Sequence, residues 1–219
     1  NGKLELRDAS YLWGKDSYDT EDALRKELNA SKLRVACIGP ASEKLSLISG
    51  IVNDKGRVAA RSGVGAVMGS KRLKAVAVHG KEKVIIADQT RLEELRKTFV
   101  EELKKSQGFS KTLIDYGTCG ITQGLVVGGA TPIKNWALAG EQAFPKVGGI
   151  TNPDAVLKYQ LKKYGCANCP IACGGLCSIR DGLYSIPEVH KPEYETVATM
   201  GPNCLNMDPE SIQVINYLC

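Results

Sequence analysis

Cysteines 166, 169, 173 and 177 lie in the stretch "GCANCPIACGGLC", half of the eight cysteines in the whole chain. Three thiols spaced as Cys166-x2-Cys169-x3-Cys173 are too close together to pair off as unstrained disulfides. Clustered cysteines in a reducing compartment more often bind metal. Structural zinc usually takes two separated C-x2-C pairs or adds histidine. The chain has two histidines, His79 and His190, both remote from the run in sequence, and no second C-x2-C. A tight three-cysteine run with Pro170 after one of its members is closer to [4Fe–4S] ligation, in which each iron takes one thiolate. Zinc and incidental thiols remain open on spacing alone. Cys177 is the local candidate for a fourth ligand, or else a small buried residue whose place is filled from elsewhere. Cys37 and Cys119 read as core or loop cysteines.

A second stretch, "RSGVGAVMGSKRLKAVAV" at residues 61–78, sets Arg61 beside three closely spaced glycines. It satisfies neither phosphate motif it approaches. Gly69 is followed by Ser70-Lys71 rather than Lys-Ser/Thr, and the spacing Gly63-x-Gly65-x3-Gly69 is not G-x-G-x-x-G. Exposed amides with a guanidinium still make a pocket for anions or polar heterocycles. The alternative is a plain glycine-rich turn.

The elements that must hold these stretches divide near residue 87. Before it, strands are expected over residues 3–7, 33–38, 47–52, 74–79 and 83–86, with a hairpin turning at 53–56 and one helix starting at about Thr20 that carries Leu24 and Leu28. After it, Thr90-x-x-Glu93 reads as a capping box for a helix with Leu92, Leu95, Phe99 and Leu103 on one face. A second helix is expected from the Asn152 cap and Pro153 through Leu157, Leu161 and Tyr164, stopping at Gly165. The glycine-rich interval 116–149 should be loop with short helical turns. The fold class is therefore α+β, a β-rich part over residues 1–86 and a mainly α-helical part over 87–219.

Hydrophobic residues at 43% and charged residues at 24% describe a globular chain of 219 residues with a mild net charge of +5. The densest basic run, Lys71-Arg72-Leu73-Lys74, reads as a solvated lead-in to a strand, and the few aromatics are not interleaved with basic residues, so no nucleic acid is expected. Nothing approaches the roughly 18 apolar residues of a membrane helix, and no secretory start is visible, which points to the cytoplasm. The chain opens without Met on Asn1-Gly2, a favoured hairpin turn with no strand before it. It closes on a helix capped by Asp208-Pro209 with Ile212, Ile215 and Cys219 on one face and no C-cap glycine. Both ends are expected to continue into a longer protein.

Taken together, "RSGVGAVMGSKRLKAV", "YGT" at 116–118, "ATPIKNW" at 130–136, "GCANCPIACG" at 165–174 and "KPEYETVATMGPNC" at 191–204 resemble the tungsten-dependent aldehyde:ferredoxin oxidoreductase family, in the family's order and over nearly the whole chain. The resemblance implies that residues 1–86 are the C-terminal portion of a β-rich, pterin-binding first domain. Residues 87–219 would be the N-terminal portion of a helical second domain carrying the iron–sulfur cysteines. It implies Cys166, Cys169 and Cys173 as ligands of a [4Fe–4S] cluster whose fourth ligand comes from a third domain beyond Cys219, leaving Cys177 unassigned. It implies Arg61, Ser62, Gly63, Val64 and Gly65 as contacts to a tungsten (or molybdenum) bis-pterin, with Mg2+ bridging the pterin phosphates. Either Glu193 or Glu195 of "PEYET" would be the acidic catalytic residue near the metal. His190 is expected to be a surface residue.

The reaction so implied is oxidation of an aldehyde with water to a carboxylic acid, two electrons leaving through the pterin and the cluster to ferredoxin. The expected partners are ferredoxin, the aldehyde substrate, the remaining domains of the parent chain and further copies in a homo-oligomer. This stretch alone would be inactive. Other readings are the catalytic subunit of an aromatic thioester reductase of the same family, an iron–sulfur module without pterin, and a zinc module using Cys166, Cys169, Cys173 and Cys177.

Overall fold

The computed structural model describes residues 2–80, 82 and 84–218. Within it the chain forms two compact units, Asn1–Ile85 and Ile86–Cys219. The fold is α+β.

In the first unit, Asp16 caps helix α1 (Ser17–Glu27) by accepting from the amide of Asp19 at 2.8 Å. Arg25 and Lys26 sit at its C-terminal end, where the helix dipole favours cations. Leu24 and Leu28 pack on Leu33, Val35 and Cys37, the inward residues of strand β1 (Arg34–Cys37) and its approach. After a single helical turn, α2 (Pro40–Glu43), come β2 (Ile51–Asn53), β3 (Arg57–Ala59), the short helix α3 (Val64–Ser70) and β4 (Ala75–Val78). The sheet is antiparallel in the order β3-β2-β1-β4. The expected hairpin at 53–56 is present, with the Gly56 amide bonded to the Asn53 carbonyl and Asp54 and Lys55 both left-handed.

Several expectations for this unit are corrected. Residues 3–7 form no strand: Leu4 and Leu6 are open to solvent, and no described segment offers them a backbone ladder. The strand expected over 47–52 begins only at Ile51, with Leu47 and Ile48 on an exposed loop. Of the strand expected over 83–86, Lys83 lies outside the described residues and 84–86 form no strand. Asn1 of the Asn1-Gly2 turn and Cys219 of the last helix also lie outside them. Lys74 is not solvated. Its ammonium is buried against Glu43 Oε1 at 2.5 Å and the Lys15 carbonyl at 2.7 Å, while Glu43 also accepts from the Gly14 amide. This buried pair ties three segments together, with both carboxylate oxygens and two of the ammonium's protons engaged.

The second unit begins with α4 (Gln89–Lys105). Its cap is Asp88, which accepts from the Arg91 amide at 2.8 Å, rather than Thr90, which lies inside the first turn. The apolar stripe Leu92, Leu95 and Phe99 is exposed. Helices α5 (Phe109–Tyr116), α6 (Thr122–Val127), α7 (Gly148–Thr151) and α8 (Asp154–Leu157) follow, with loops and 3-10 turns through the glycine-rich interval. Val126, Ile133, Ala143 and Val147 form one apolar cluster, and Cys119, Val156 and Val197 another.

The helix expected over 152–164 stops after one turn. The chain then runs as strand β5 (Gln160–Tyr164), pairing with β6 (Gly174–Ile179), which pairs with β7 (Ile186–His190). The spacing of Leu157, Leu161 and Tyr164 imitates a helix face. Leu161 is nevertheless half exposed, Lys162 pairs with Glu188 on the surface, and exposed Lys163 donates to the Ile114 carbonyl, as suits an edge strand. Helix α9 (Tyr194–Met200) and α10 (Pro209–Leu218) complete the unit, and Asp208 caps α10 through the amides of Glu210 and Ser211.

Candidate functional site

The cysteine run occupies the turn between β5 and β6 rather than a helix end. Tyr164 closes one strand and Gly174 opens the next, directly opposite it in register. The Cys169 amide bonds to the Cys166 carbonyl at 3.0 Å, and Asn168 and Ala172 are both left-handed. Two non-glycine residues in that conformation cost of order 1–3 kcal/mol each and persist only where surroundings over-determine them. Cys166 is exposed, Cys169 and Cys173 are half-buried, and none of the three is in a disulfide.

Cys177 differs. It lies on β6 fully buried, paired in register with Gln160 and Val189, and burial pushes its thiol up to about 11. Cys119 and Cys37 are buried and raised to about 11 for the same reason. The local cysteines thus separate into three accessible thiols on one turn and one protonated thiol in the sheet.

Among the described residues no three His, Cys, Asp or Glu side chains converge as a site for a single metal ion. A cubane cluster does not require that, because it spreads its thiolates one to each iron. Three thiols outside any disulfide on a nine-residue turn suit such a cluster, with one iron left for a ligand from outside these residues.

Sequence reasoning missed the support behind this turn. Lys191 is 2% exposed, and its ammonium donates to the carbonyls of Tyr116 at 2.5 Å and Cys173 at 3.0 Å. Gly117 makes room for it. Gly117 has a φ of +78°, and a Cβ there would sit 2.4 Å from the Cys173 oxygen and 2.5 Å from the Lys191 nitrogen. Only the "YGT" motif hinted at this, since a glycine between two larger residues is what such an approach demands.

The two glutamates of "PEYET" have different surroundings. Glu193 is half-buried just before α9 and accepts from the Thr118 hydroxyl through Oε2. Thr118 in turn accepts from the Tyr194 amide at 2.9 Å. Glu195, on the first turn of α9, is exposed, and its carboxylate has no hydrogen bond or ion pair among the described residues. The Tyr194 hydroxyl meets buried Thr131 at 3.0 Å. Next to Thr131, Lys134, Asn135 and Trp136 are three consecutive left-handed residues. The first two donate their amides to the carbonyls of Pro202 and Asn203. The stretches at 116–118, 130–136, 165–174 and 191–204 therefore meet in one place. His190 is half-buried rather than a surface residue, with Nδ1 2.6 Å from the Tyr164 hydroxyl.

In the first unit, Arg61 and Ser62 are exposed where the chain leaves β3 for α3. The Arg61 guanidinium has no partner among the described residues, which suits an anionic ligand. Gly63, Val64 and Gly65 are less accessible. A Cβ on Gly65 would strike Ser42 and Gly50 at 2.5 and 2.6 Å, so this glycine serves the close packing of α3 on α2.

Two family models match the chain. The family model described as aldehyde ferredoxin oxidoreductase, N-terminal domain, matches residues 1–80, and that described as aldehyde ferredoxin oxidoreductase, domains 2 & 3, matches residues 94–219. The tungsten-containing aldehyde ferredoxin oxidoreductase of Pyrococcus furiosus is 37% identical over 99% of the chain, and that of Thermococcus kodakarensis is 36% identical over 99%. The chain spans 34% of the length of each. An aliphatic sulfonate oxidoreductase, WOR-like subunit, of Pyrococcus furiosus is 29% identical over all of this chain and 36% of its own. Among solved structures, the active site complex BamBC of benzoyl coenzyme A reductase shares the fold. Its TM-score is 0.66 at 23% identity, over 99% of this chain and 36% of that one.

Proposed function

The chain belongs to the aldehyde ferredoxin oxidoreductase family, and we propose that it forms part of a tungstopterin and [4Fe–4S] enzyme that oxidises aldehydes to carboxylic acids and passes the electrons to ferredoxin. In this reading residues 1–86 are the later portion of the pterin-binding domain and 87–219 the beginning of the helical domain. The observation that carries it is the sorting of the local cysteines. Cys166, Cys169 and Cys173 share one accessible turn while Cys177 is buried and protonated. That is the pattern of a cluster taking three thiolates here and a fourth from the rest of the parent protein. It is the wrong pattern for a zinc module drawing on all four.

The chain's own residues would act as follows. Arg61 and Ser62 bind the anionic end of the pterin, by a guanidinium and a hydroxyl that have no competing role in this unit. When bound, the tungstopterin supplies the two-electron oxidation and the cluster single-electron transfer. Glu195 is the carboxylate available to take a proton from the attacking water. General bases of this kind contribute about 10²–10⁴-fold. Glu193, engaged by Thr118, holds the start of α9 in place and so sets where Glu195 points.

The test is metal analysis with an absorbance spectrum on the anaerobically purified full-length protein. Four irons, one tungsten or molybdenum and pterin per chain, with aldehyde-dependent reduction of ferredoxin, are expected. Stoichiometric zinc in a colourless protein would overturn the reading, as would iron without pterin. Reduction of an aromatic thioester in place of aldehyde oxidation would retain the cofactors and reassign the substrate.

A further inference from the structure

The two buried lysines among the described residues are solvated by the protein in different ways. Lys74 has a carboxylate, Glu43, at 2.5 Å. Lys191, equally buried, has two carbonyl oxygens and no ion pair among the described residues. A buried ammonium without an anion is strongly disfavoured, and carbonyl dipoles compensate it only in part. The neighbouring thiols supply no charge, because burial keeps both Cys119 and Cys177 protonated up to about 11. The Glu193 carboxylate acts on the same Cys119 thiol as Lys191 and accepts from the Thr118 hydroxyl. Yet the chain holds the cation in a shaped cradle, with Gly117 reduced to a hydrogen to admit it and one of its two bonds made to the backbone of Cys173.

We propose that the Lys191 ammonium, bonded to the backbone of Cys173, acts on the iron–sulfur cluster, and that its charge raises the reduction potential of that cluster. This rests on the assignment above of Cys166, Cys169 and Cys173 as its ligands. A cubane with four thiolates is anionic when oxidised and gains one further negative charge on reduction. A fixed cation behind one of the ligands stabilises the reduced form more than the oxidised form, and low surrounding dielectric magnifies the difference. Hydrogen bonds and charges around the thiolates are the protein's means of setting the potential. A lysine that only braced the carbonyls of Tyr116 and Cys173 would affect stability and leave the potential where it was.

The experiment is a redox titration of the cluster-loaded full-length protein, followed by electron paramagnetic resonance, in wild type and in Lys191→Gln, Lys191→Met and Lys191→Arg. Glutamine keeps a donor for the two carbonyls and removes the charge. At a fixed potential near the wild-type midpoint, both neutral variants are expected to lower the ratio of reduced to oxidised cluster at least tenfold. This corresponds to a midpoint about 59 mV more negative for one electron. Arginine is expected to restore the wild-type midpoint. A folded glutamine or methionine variant with full iron content and an unchanged midpoint overturns the proposal and leaves Lys191 a strut. If neither neutral variant folds, a folded, iron-loaded Lys191→His variant replaces them: a midpoint that falls between pH 5 and pH 9, as the histidine loses its charge, beyond any change in wild type supports the proposal, and one that tracks wild type overturns it. Wild-type protein without iron would instead remove the ligand assignment, and this proposal with it.

Discussion

The hydroxyl of Thr118 donates to the carboxylate of Glu193, a residue 75 positions later, and accepts from the Tyr194 amide. One side chain thereby ties the entrance to α9 to the first of its two glutamates. Its donor and acceptor are used at once, and a group half-buried in this way is costly to leave unmade.

Thr118→Val keeps the shape and removes both bonds. The expected loss is about 1–3 kcal/mol of unfolding free energy, because a partly buried carboxylate and an amide lose their partner. Thr118→Ser should recover most of it. Denaturant unfolding of the two variants measures the difference.

Glu195→Gln in the cofactor-loaded parent enzyme should lower kcat for aldehyde oxidation by about 10²–10⁴-fold while leaving folding intact, the range for loss of a general base. Glu193→Gln should act chiefly on stability, since its carboxylate is already committed to Thr118. Steady-state kinetics beside thermal melts separates the two, and equal kinetic loss in both variants would refute the division of roles.

Gly117→Ala places a methyl group 2.4 Å from a backbone oxygen and demands an alanine at φ +78°, ψ −164°, a region essentially confined to glycine. The conformation alone costs about 1–3 kcal/mol. Displacing Cys173 and Lys191 adds to it, so the variant should unfold more easily and retain less iron. Iron content per folded chain is the decisive measurement.

Cys177→Ser should leave iron content unchanged, at a cost of about 1–3 kcal/mol for burying a hydroxyl. Cys173→Ser should deplete the cluster. A colourless Cys177→Ser protein would restore that residue to the ligand set.

Raising the pH should destabilise the chain once it passes the ordinary thiol range. Cys37, Cys119 and Cys177 have folded values of about 11 against an unperturbed 9.0. Below 9 both folded and unfolded states hold these protons. Between 9 and 11 the unfolded chain releases them first, so it binds fewer protons and the unfolding free energy falls with pH. Urea midpoints at pH 8 and pH 10.5 test this. Alkylation of the native cluster-free chain at pH 8 should modify exposed Cys166 and Cys204 and spare those three.

The sequence by itself carried the parts of this protein that depend on local order. Alternation between turn residues marked β1, β4 and the β2–β3 hairpin. An aspartate before proline marked the start of α10, and spacing singled out the three cysteines that share the β5–β6 turn. What only tertiary structure decided depends on partners far along the chain. Residues 160–164 have helical spacing, yet they are a strand because the backbone of β6 offers them a ladder. Lys191 and Lys74 are two among many lysines in the sequence, and neither announces that it is buried. Glu193 and Glu195 are two positions apart and chemically identical, and they diverge because Thr118 reaches one of them. Burial and pairing are properties of contacts between distant segments, and a pattern read along one segment holds no record of what will face it.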